Sequence, residues 1–467
     1  MKIDLLQLTP MLTQSGFETI TRLKEHPHAP MWNHAAGDSL IEDDIIKLRE
    51  FRKGLDTKRD GWVSGEPSED ILNTFVRLKE SVPLFQNTML CEPAIRTEGA
   101  TKKWAAIKTI SREDIALRVE QLVPSNRDIS RLIVYSTSGT TGHFIRIPGH
   151  PFFSGSYQAL IEYAMARHTV YPHFDSSKTA CFLVGFQIKT ETFATALTYW
   201  NEAGFAKINL NRNDWHDAQS PHNYFEAMKP LIITGDPLSF AEMITMKIKA
   251  EPLALISTAL IMGKSFKSKL SEYFHCPVID LYSTTETGPI AYSCPAGDGF
   301  HILPNDMYVE AIDTNGCPVA ESERGEITIT CARNPFLPLL RYRTGDFGRI
   351  DYRHCICGDP MPKIIDLEGR SPVIFQSAQG GPVHSVDISR VLGEFPLVQH
   401  EFIQRADLSC CLRVRCLREE DRLFINSIHN GLQELFGDLP LKIDIVSELA
   451  NKEQSGKVIP YTTFLSK

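Results

Sequence analysis

Leu132-Ile133-Val134-Tyr135 runs without a break into Ser136-Thr137-Ser138-Gly139-Thr140-Thr141-Gly142, and this stretch sets the reading of the whole chain. The first four residues have the texture of a short buried strand. The next seven contain five hydroxyls and two glycines. Glycine lets the backbone approach a ligand closely, and amide nitrogens with hydroxyls can wrap a polyphosphate. Ser136, Thr137, Ser138, Gly139, Thr140, Thr141 and Gly142 are therefore a candidate phosphate cradle. It is not a Walker loop, because the glycine spacing differs and His143, not Lys, follows Gly142. A Ser/Thr-rich surface turn has the same composition; the place directly after an apolar run favours the ligand.

Similar apolar runs recur at 179–186, 231–234, 253–257 and 278–282, each followed by a helix-like segment. Runs of four to eight apolar residues alternating with helices predict buried parallel strands with crossovers, whose ligands sit outside the strands' carboxyl ends. Upstream, Ile45, Leu48, Phe51 and Leu55, then Ile71, Phe75, Leu78 and Val82, recur at helical spacing. Downstream the texture turns to strand and turn at 326–331 and 341–350. A Gly/Pro-punctuated stretch, Gly369-Arg370-Ser371-Pro372 and then Gly380-Gly381-Pro382, marks a boundary. Helices at 386–395 and 419–436 with strands at 401–404, 410–416 and 442–446 complete a small unit. The expected architecture is α/β: a large N-terminal domain over 1–369 with parallel-type sheets, and a small mobile α+β lid over 370–467.

A chain of 467 residues with 42% hydrophobic and 23% charged residues is an ordinary globular protein of two domains. The formal charge of -8, without a Lys/Arg tract, argues against nucleic acid or an anionic membrane as partner. No apolar run reaches the roughly 18 to 20 residues of a membrane span, and Met1-Lys2-Ile3-Asp4 does not open a secretory signal. The eleven cysteines are then expected to be reduced thiols or metal ligands in a cytoplasmic monomer or homodimer.

Three further places carry chemistry. The run 278–282 ends in Tyr282-Ser283-Thr284-Thr285-Glu286, where a carboxylate beside hydroxyls suits a Mg²⁺ ion holding phosphate oxygens. Arg341-Tyr342-Arg343-Thr344-Gly345-Asp346 offers an aspartate able to accept both hydroxyls of a ribose. Cys294, His301, Cys355 and Cys357 make a Cys₃His set, a known structural zinc composition, with His354 as a rival ligand; ordinary thiols and a loop histidine are the plainer alternative. Lys457, in Ser455-Gly456-Lys457-Val458-Ile459-Pro460, reads by itself as a solvated surface charge.

In series, these segments resemble the acyl-adenylate-forming superfamily, and most closely its phenylacetate–CoA ligase and coenzyme F390 synthetase branch. The resemblance covers the chain from about residue 130 onward. It implies ATP-dependent activation of a carboxylic acid, aryl or arylacetic in this branch, to an acyl-adenylate. Transfer to coenzyme A follows, with a carrier-protein thiol or an amine as alternative acceptor. It also implies residue roles: Tyr282 stacks on adenine beside Ser283 and Thr284, Thr285 contacts the α-phosphate, Glu286 helps hold Mg²⁺ and Asp346 binds ribose. Arg370 would touch ribose or phosphate, and Lys457 would bridge the attacking carboxylate and the α-phosphate from the lid. Zinc is bound in members with the Cys…His…Cys-x-Cys pattern, here pinning the Asp346 segment to the Glu286 segment. The sequence departs from the pattern at His143, at Ser283 in place of glycine, at 257–263 in place of a Gly-Gly-Glu-like turn, and at Ser371-Pro372 where acidic residues are usual. Phe186, Tyr135 and 257–262 are candidate acyl-pocket walls, with core packing the plainer role for each. A nucleotide-binding descendant without activity and a zinc hydrolase are the rival classes; the retained Glu286, Asp346 and Lys457 speak against the first, and the lack of an open metal position against the second.

Overall fold

The computed structural model describes residues 5–57, 67–86, 104–136, 145–297, 299–304, 306–321, 323–369, 373–417, 423–447, 449 and 460–465. The architecture is built on one twelve-stranded sheet whose two halves differ in kind. In one half, Val278–Thr284, Ala254–Ser257, Ile232–Gly235, Thr179–Gly185 and Ala203–Asn209 run parallel in that spatial order, closed by antiparallel Phe193–Leu197 at the edge.

These strands have the apolar composition expected of a sheet covered on both faces. Side-chain alternation sorts them between two cores. Phe182, Val184, Ile233, Leu255 and Val278 face the helices Ser220–Met228, Pro237–Thr245 and Lys264–Phe274. Cys181, Ile232, Ala254, Ile256 and Ile279 face the helices Glu42–Thr57 and Pro151–Arg167. The helix Gln14–Lys24 lies against the edge strands, covering an edge that would otherwise invite pairing with another chain.

The other half is antiparallel: Met307–Ile312, Gly325–Cys331, Leu339–Asp351, Lys363–Glu368, Phe300–Ile302 and Gly288–Ser293. The halves join where Val278–Thr284 pairs parallel to one neighbour and antiparallel to the other. In open α/β sheets ligands bind outside the carboxyl ends of the parallel strands, and the carboxyl end of Val278–Thr284 lies at this junction.

A separate smaller α/β region forms the C-terminal part. Its four-stranded mixed sheet has the order Leu441–Ile445, Cys410–Cys416, Leu397–Gln404, Tyr461–Thr463. Ile388 and Leu392 of the helix Ser385–Gly393, with Ile428, Leu432 and Phe436 of the helix Ile425–Phe436, pack on Phe402, Leu412 and Val414 in its own core.

One strand corrects the expectation. Ile133–Ser136 is not a buried member of the parallel sheet; it pairs antiparallel with Arg146–Gly149 in a two-stranded hairpin, and Val134 faces solvent. A short apolar run cannot by itself distinguish the two settings. Among the described residues, no helix is long and apolar enough to cross a membrane.

Candidate active site at the carboxyl end of the central strand

The strands Val278–Thr284 and Gly288–Ser293 form a hairpin closed by the pair Thr284 and Gly288, so Thr285, Glu286 and Thr287 make its tip. Gly288 has φ +72°, the left-handed residue that a three-residue hairpin loop requires after its turn. The Thr287 amide donates to Thr284 Oγ1 (3.2 Å), and the two hydroxyls meet at 2.9 Å. This fastening leaves Thr285 exposed and turns the Glu286 carboxylate inward, where the residue is only 3% exposed.

Two partners meet Glu286 there. Arg112 Nη1 lies 3.3 Å from Glu286 Oε1, and the Tyr342 phenol hydrogen-bonds the same carboxylate. Burial, with the neighbouring Glu286, raises the Tyr342 pKa well above its ordinary value, so the phenol stays a proton donor. Arg112 occupies the first turn of the helix Arg112–Leu122, which opens on the capping box Ser111–Asp114. A cation at that end opposes the helix dipole, and the Glu286 carboxylate offsets the penalty.

The aspartate of the third motif comes to the same place. Tyr282 Oη donates to Asp346 Oδ2 at 2.7 Å, linking residues 64 positions apart. Asp346 sits on the strand Leu339–Asp351 just after Gly345, whose φ of +81° bends the backbone. The bend is held by Gly345 N donating to Glu326 Oε1 (3.1 Å) and by Asp346 N donating to Thr344 Oγ1 (3.1 Å). Gly369 lies close by: a Cβ there would stand 3.5 Å from Asp346 Oδ1. Tyr282, Glu286 and Asp346 thus gather around Tyr342 at the junction of the sheet halves, with Ser283 and Thr284 half-buried beside them. The Ile133–Ser136 strand ends at Ser136, where the hydroxyl-rich turn starts. Thr137, Ser138, Gly139, Thr140, Thr141, Gly142, Arg370 and Lys457 lie outside the described residues, as do Ser371 and Pro372.

The cysteine–histidine set also converges. One ligand atom from each of Cys294, His301, Cys355 and Cys357 lies within 4.8 Å of the others. Cys294 Sγ and Cys355 Sγ are 3.5 Å apart, and Cys357 Sγ and His301 Nε2 3.1 Å apart. A tetrahedral ion with ~2.3 Å bonds to sulfur places its ligands ~3.8 Å from one another, so the cage fits zinc. The His301 tautomer fits as well: Nδ1–H donates to the Met361 carbonyl (2.8 Å), leaving the Nε2 lone pair facing the thiols.

Amides of Ala296 (3.3 Å) and Asp359 (3.4 Å) donate to the sulfurs of Cys294 and Cys357, as they do to thiolates. Arg167 (2.9 Å) and the Tyr292 phenol converge on the buried Asp359 carboxylate behind the cage. Burial, with the Cys355 thiol beside it, pushes Cys294 up to about 12, a crowding that a cation would relieve. His354 is exposed and outside the set. By topology, Cys294 follows the Glu286 hairpin, and Cys355 and Cys357 follow the Asp346 strand.

Sequence reasoning passed over Arg112, Tyr342, Arg333 and Asp306. The Ser-x-x-Asp capping box made a helix start at residue 111 legible and hence the place of Arg112. Tyr342 stood inside a motif already quoted. Arg333 and Asp306 left no local signal.

No protein-family model matches the chain. A segment of 101 residues, 21% of this chain and 22% of the relative, is 30% identical to the phenylacetate-coenzyme A ligase of Thermus thermophilus, so the match spans about a fifth of that protein's length. Among solved structures, 2-hydroxyisobutyryl-CoA ligase in the postadenylation state with R3-HIB-AMP superposes with a TM-score of 0.63, covering 86% of this chain and 90% of that one at 16% identity. The same ligase in an open conformation with 2-HIB-AMP and CoA gives 0.53, covering 84% and 90% at 15% identity. The fold is shared with 2-hydroxyisobutyryl-CoA ligase. Identity at this level carries the fold only.

Proposed function

We propose that the chain is an acid–thiol ligase that activates a carboxylic acid with ATP and passes the acyl group to coenzyme A. The observation that carries this reading is the convergence of Tyr282, Glu286 and Asp346 around Tyr342 in a fold shared with 2-hydroxyisobutyryl-CoA ligase.

In the first half-reaction a substrate carboxylate oxygen attacks the α-phosphorus of ATP, and the bond from that phosphorus to the bridging oxygen of pyrophosphate breaks. The protein's part is placement and charge neutralisation. Asp346 accepts the ribose hydroxyls and Tyr282 presents its ring to the base. The exposed Thr285 hydroxyl contacts the α-phosphate, and Ser136 to Gly142 cradle the phosphates. Glu286 would hold Mg²⁺, which supplies positive charge to the phosphate oxygens when bound. Lys457 neutralises charge between the carboxylate and the α-phosphate. In the second half-reaction the thiol sulfur attacks the acyl carbon, the bond from that carbon to the AMP oxygen breaks, and AMP leaves.

Residues 370–467 act as the lid that delivers Lys457 and then moves aside, with Arg370 at the start of that unit touching ribose or phosphate. An aryl or arylacetic acid is the substrate class, in keeping with the 30% identity to a phenylacetate-coenzyme A ligase.

Mixing the protein with ATP, Mg²⁺, labelled pyrophosphate and a panel of aryl acids should give acid-dependent exchange into ATP. Adding coenzyme A should convert the same acid to its thioester. Lys457→Ala should reduce exchange by about 10²-fold or more without lowering the melting temperature. Near-normal exchange in that variant, or none with any acid in the parent protein, would end the proposal.

The Cys₃His cage would hold a structural zinc, with Cys294, His301, Cys355 and Cys357 as ligands. Elemental analysis should find one zinc per chain. Cys357→Ser should lose the metal and lower the thermal midpoint. Full stability after exhaustive chelation, together with a metal-free parent protein, would remove this assignment.

A further inference from the structure

The Arg333 side chain is 0% exposed, and burying a guanidinium is costly unless its donors are matched by fixed partners. Four of its bonds are specific. Nε and Nη2 form a fork on Asp306, 2.6 Å to each carboxylate oxygen. Nη1 donates to the carbonyls of Thr287 (3.2 Å) and Pro289 (2.6 Å). Those two carbonyls straddle Gly288, on the return arm of the loop that carries Glu286. The next residue ties the same segment to the strand Arg146–Gly149. Asn334, 2% exposed, donates from Nδ2 to the Pro148 carbonyl (2.7 Å), on the strand that leads away from the hydroxyl-rich turn. Its own Oδ1 accepts the Phe336 amide (3.1 Å), which fixes the side chain.

Resting on the nucleotide reading above, we infer that Arg333 is a positioning residue: braced on Asp306, it holds the return arm of the hairpin whose tip carries Glu286 and so sets where that carboxylate stands. Arg333 touches neither substrate nor metal in this arrangement. It acts through the two carbonyls that give the hairpin its curvature. Only a planar fork can chelate Asp306 and reach both carbonyls at once; a lysine ammonium, a point charge, cannot.

The test is calorimetric binding of three ligands to the full chain: AMP, a β,γ-imido ATP analogue in EDTA, and the same analogue with Mg²⁺. Arg333→Lys should leave AMP affinity unchanged, because Tyr282 and Asp346 are untouched, and should keep the metal-free affinity. It should lose about tenfold of the affinity gained on adding Mg²⁺, the scale on which groups behind a ligand act. Asp306→Asn, which removes one arm of the fork, should reproduce the loss and stands in if Arg333→Lys does not fold. An undiminished Mg²⁺-dependent gain in both variants overturns the inference. A parallel fall in all three affinities also overturns it, since that is the mark of a merely structural role. If the parent chain binds neither AMP nor the analogue, it is the nucleotide reading that fails, and the inference with it.

Discussion

Glu286→Gln is expected to lower acid-dependent pyrophosphate exchange by about 10²- to 10³-fold, the scale lost when one preorganised charge-stabilising group is removed. The substitution keeps the side chain's volume in a position only 3% exposed. It removes the charge that a magnesium ion needs among oxygen ligands. It also takes away the carboxylate 3.3 Å from Arg112, whose charge in the first helical turn opposes the helix dipole. The loss should appear in the requirement for Mg²⁺ as well as in rate. AMP binding, which the proposed function assigns to Tyr282 and Asp346, should change little. A variant with parental exchange at millimolar Mg²⁺ would show that this carboxylate only fastens the helix Arg112–Leu122, and the metal assignment would be lost.

Arg341→Met should destabilise the protein by about 3–5 kcal/mol, the usual penalty for removing one partner of a buried pair. Its side chain is 0% exposed and bonds Glu310 through both oxygens, at 2.8 and 3.2 Å. It also donates to the carbonyls of Ala105 (2.9 Å), Ile107 (2.8 Å) and Gly316 (2.7 Å). Burial raises the Glu310 pKa even with Arg341 opposing it, so the carboxylate left behind is a poor one to keep charged. The loss reaches the active site by a short route. The segment 104–110 hangs from Arg341 and pairs with Tyr342 through Ile110, and one residue further Ser111 starts the helix bearing Arg112. Chemical denaturation measures the effect. The double variant Glu310→Gln with Arg341→Met should recover most of the stability, because the uncompensated charge is then gone. An unchanged midpoint in the single variant would refute the account.

Much of the candidate site was legible as separate pieces. The apolar runs at 179–186, 231–234, 253–257 and 278–282 became strands within a residue or two of their expected bounds, since each is largely apolar and covered on both faces; Asp280, the one charged residue among them, is itself buried. Glu286 and Asp346 stood out because carboxylates at strand ends beside hydroxyls or glycine are chemically conspicuous. Arg341 lay in the same quoted motif as Asp346 but was not recognised as a buried anchor: its partners Glu310 and Trp104 are 31 and 237 positions away. Arg333 was missed for the same reason. The strand Ile133–Ser136 was misplaced because four apolar residues carry no mark of which neighbour they will pair with.

Local order alone determined the element types, the alternation that makes the sheet parallel, and the residue classes able to bind nucleotide and metal. Periodicity and side-chain chemistry act over a few residues and need no partner to be recognised. Only the tertiary structure decided that Tyr282 would reach Asp346, that Arg112 would face Glu286, that four scattered ligands would form one cage, and that a single buried guanidinium would hold the loop between them. Those contacts join residues dozens to hundreds of positions apart, and their geometry exists only once the reversal of strand sense at Val278–Thr284 has brought the two halves of the sheet together.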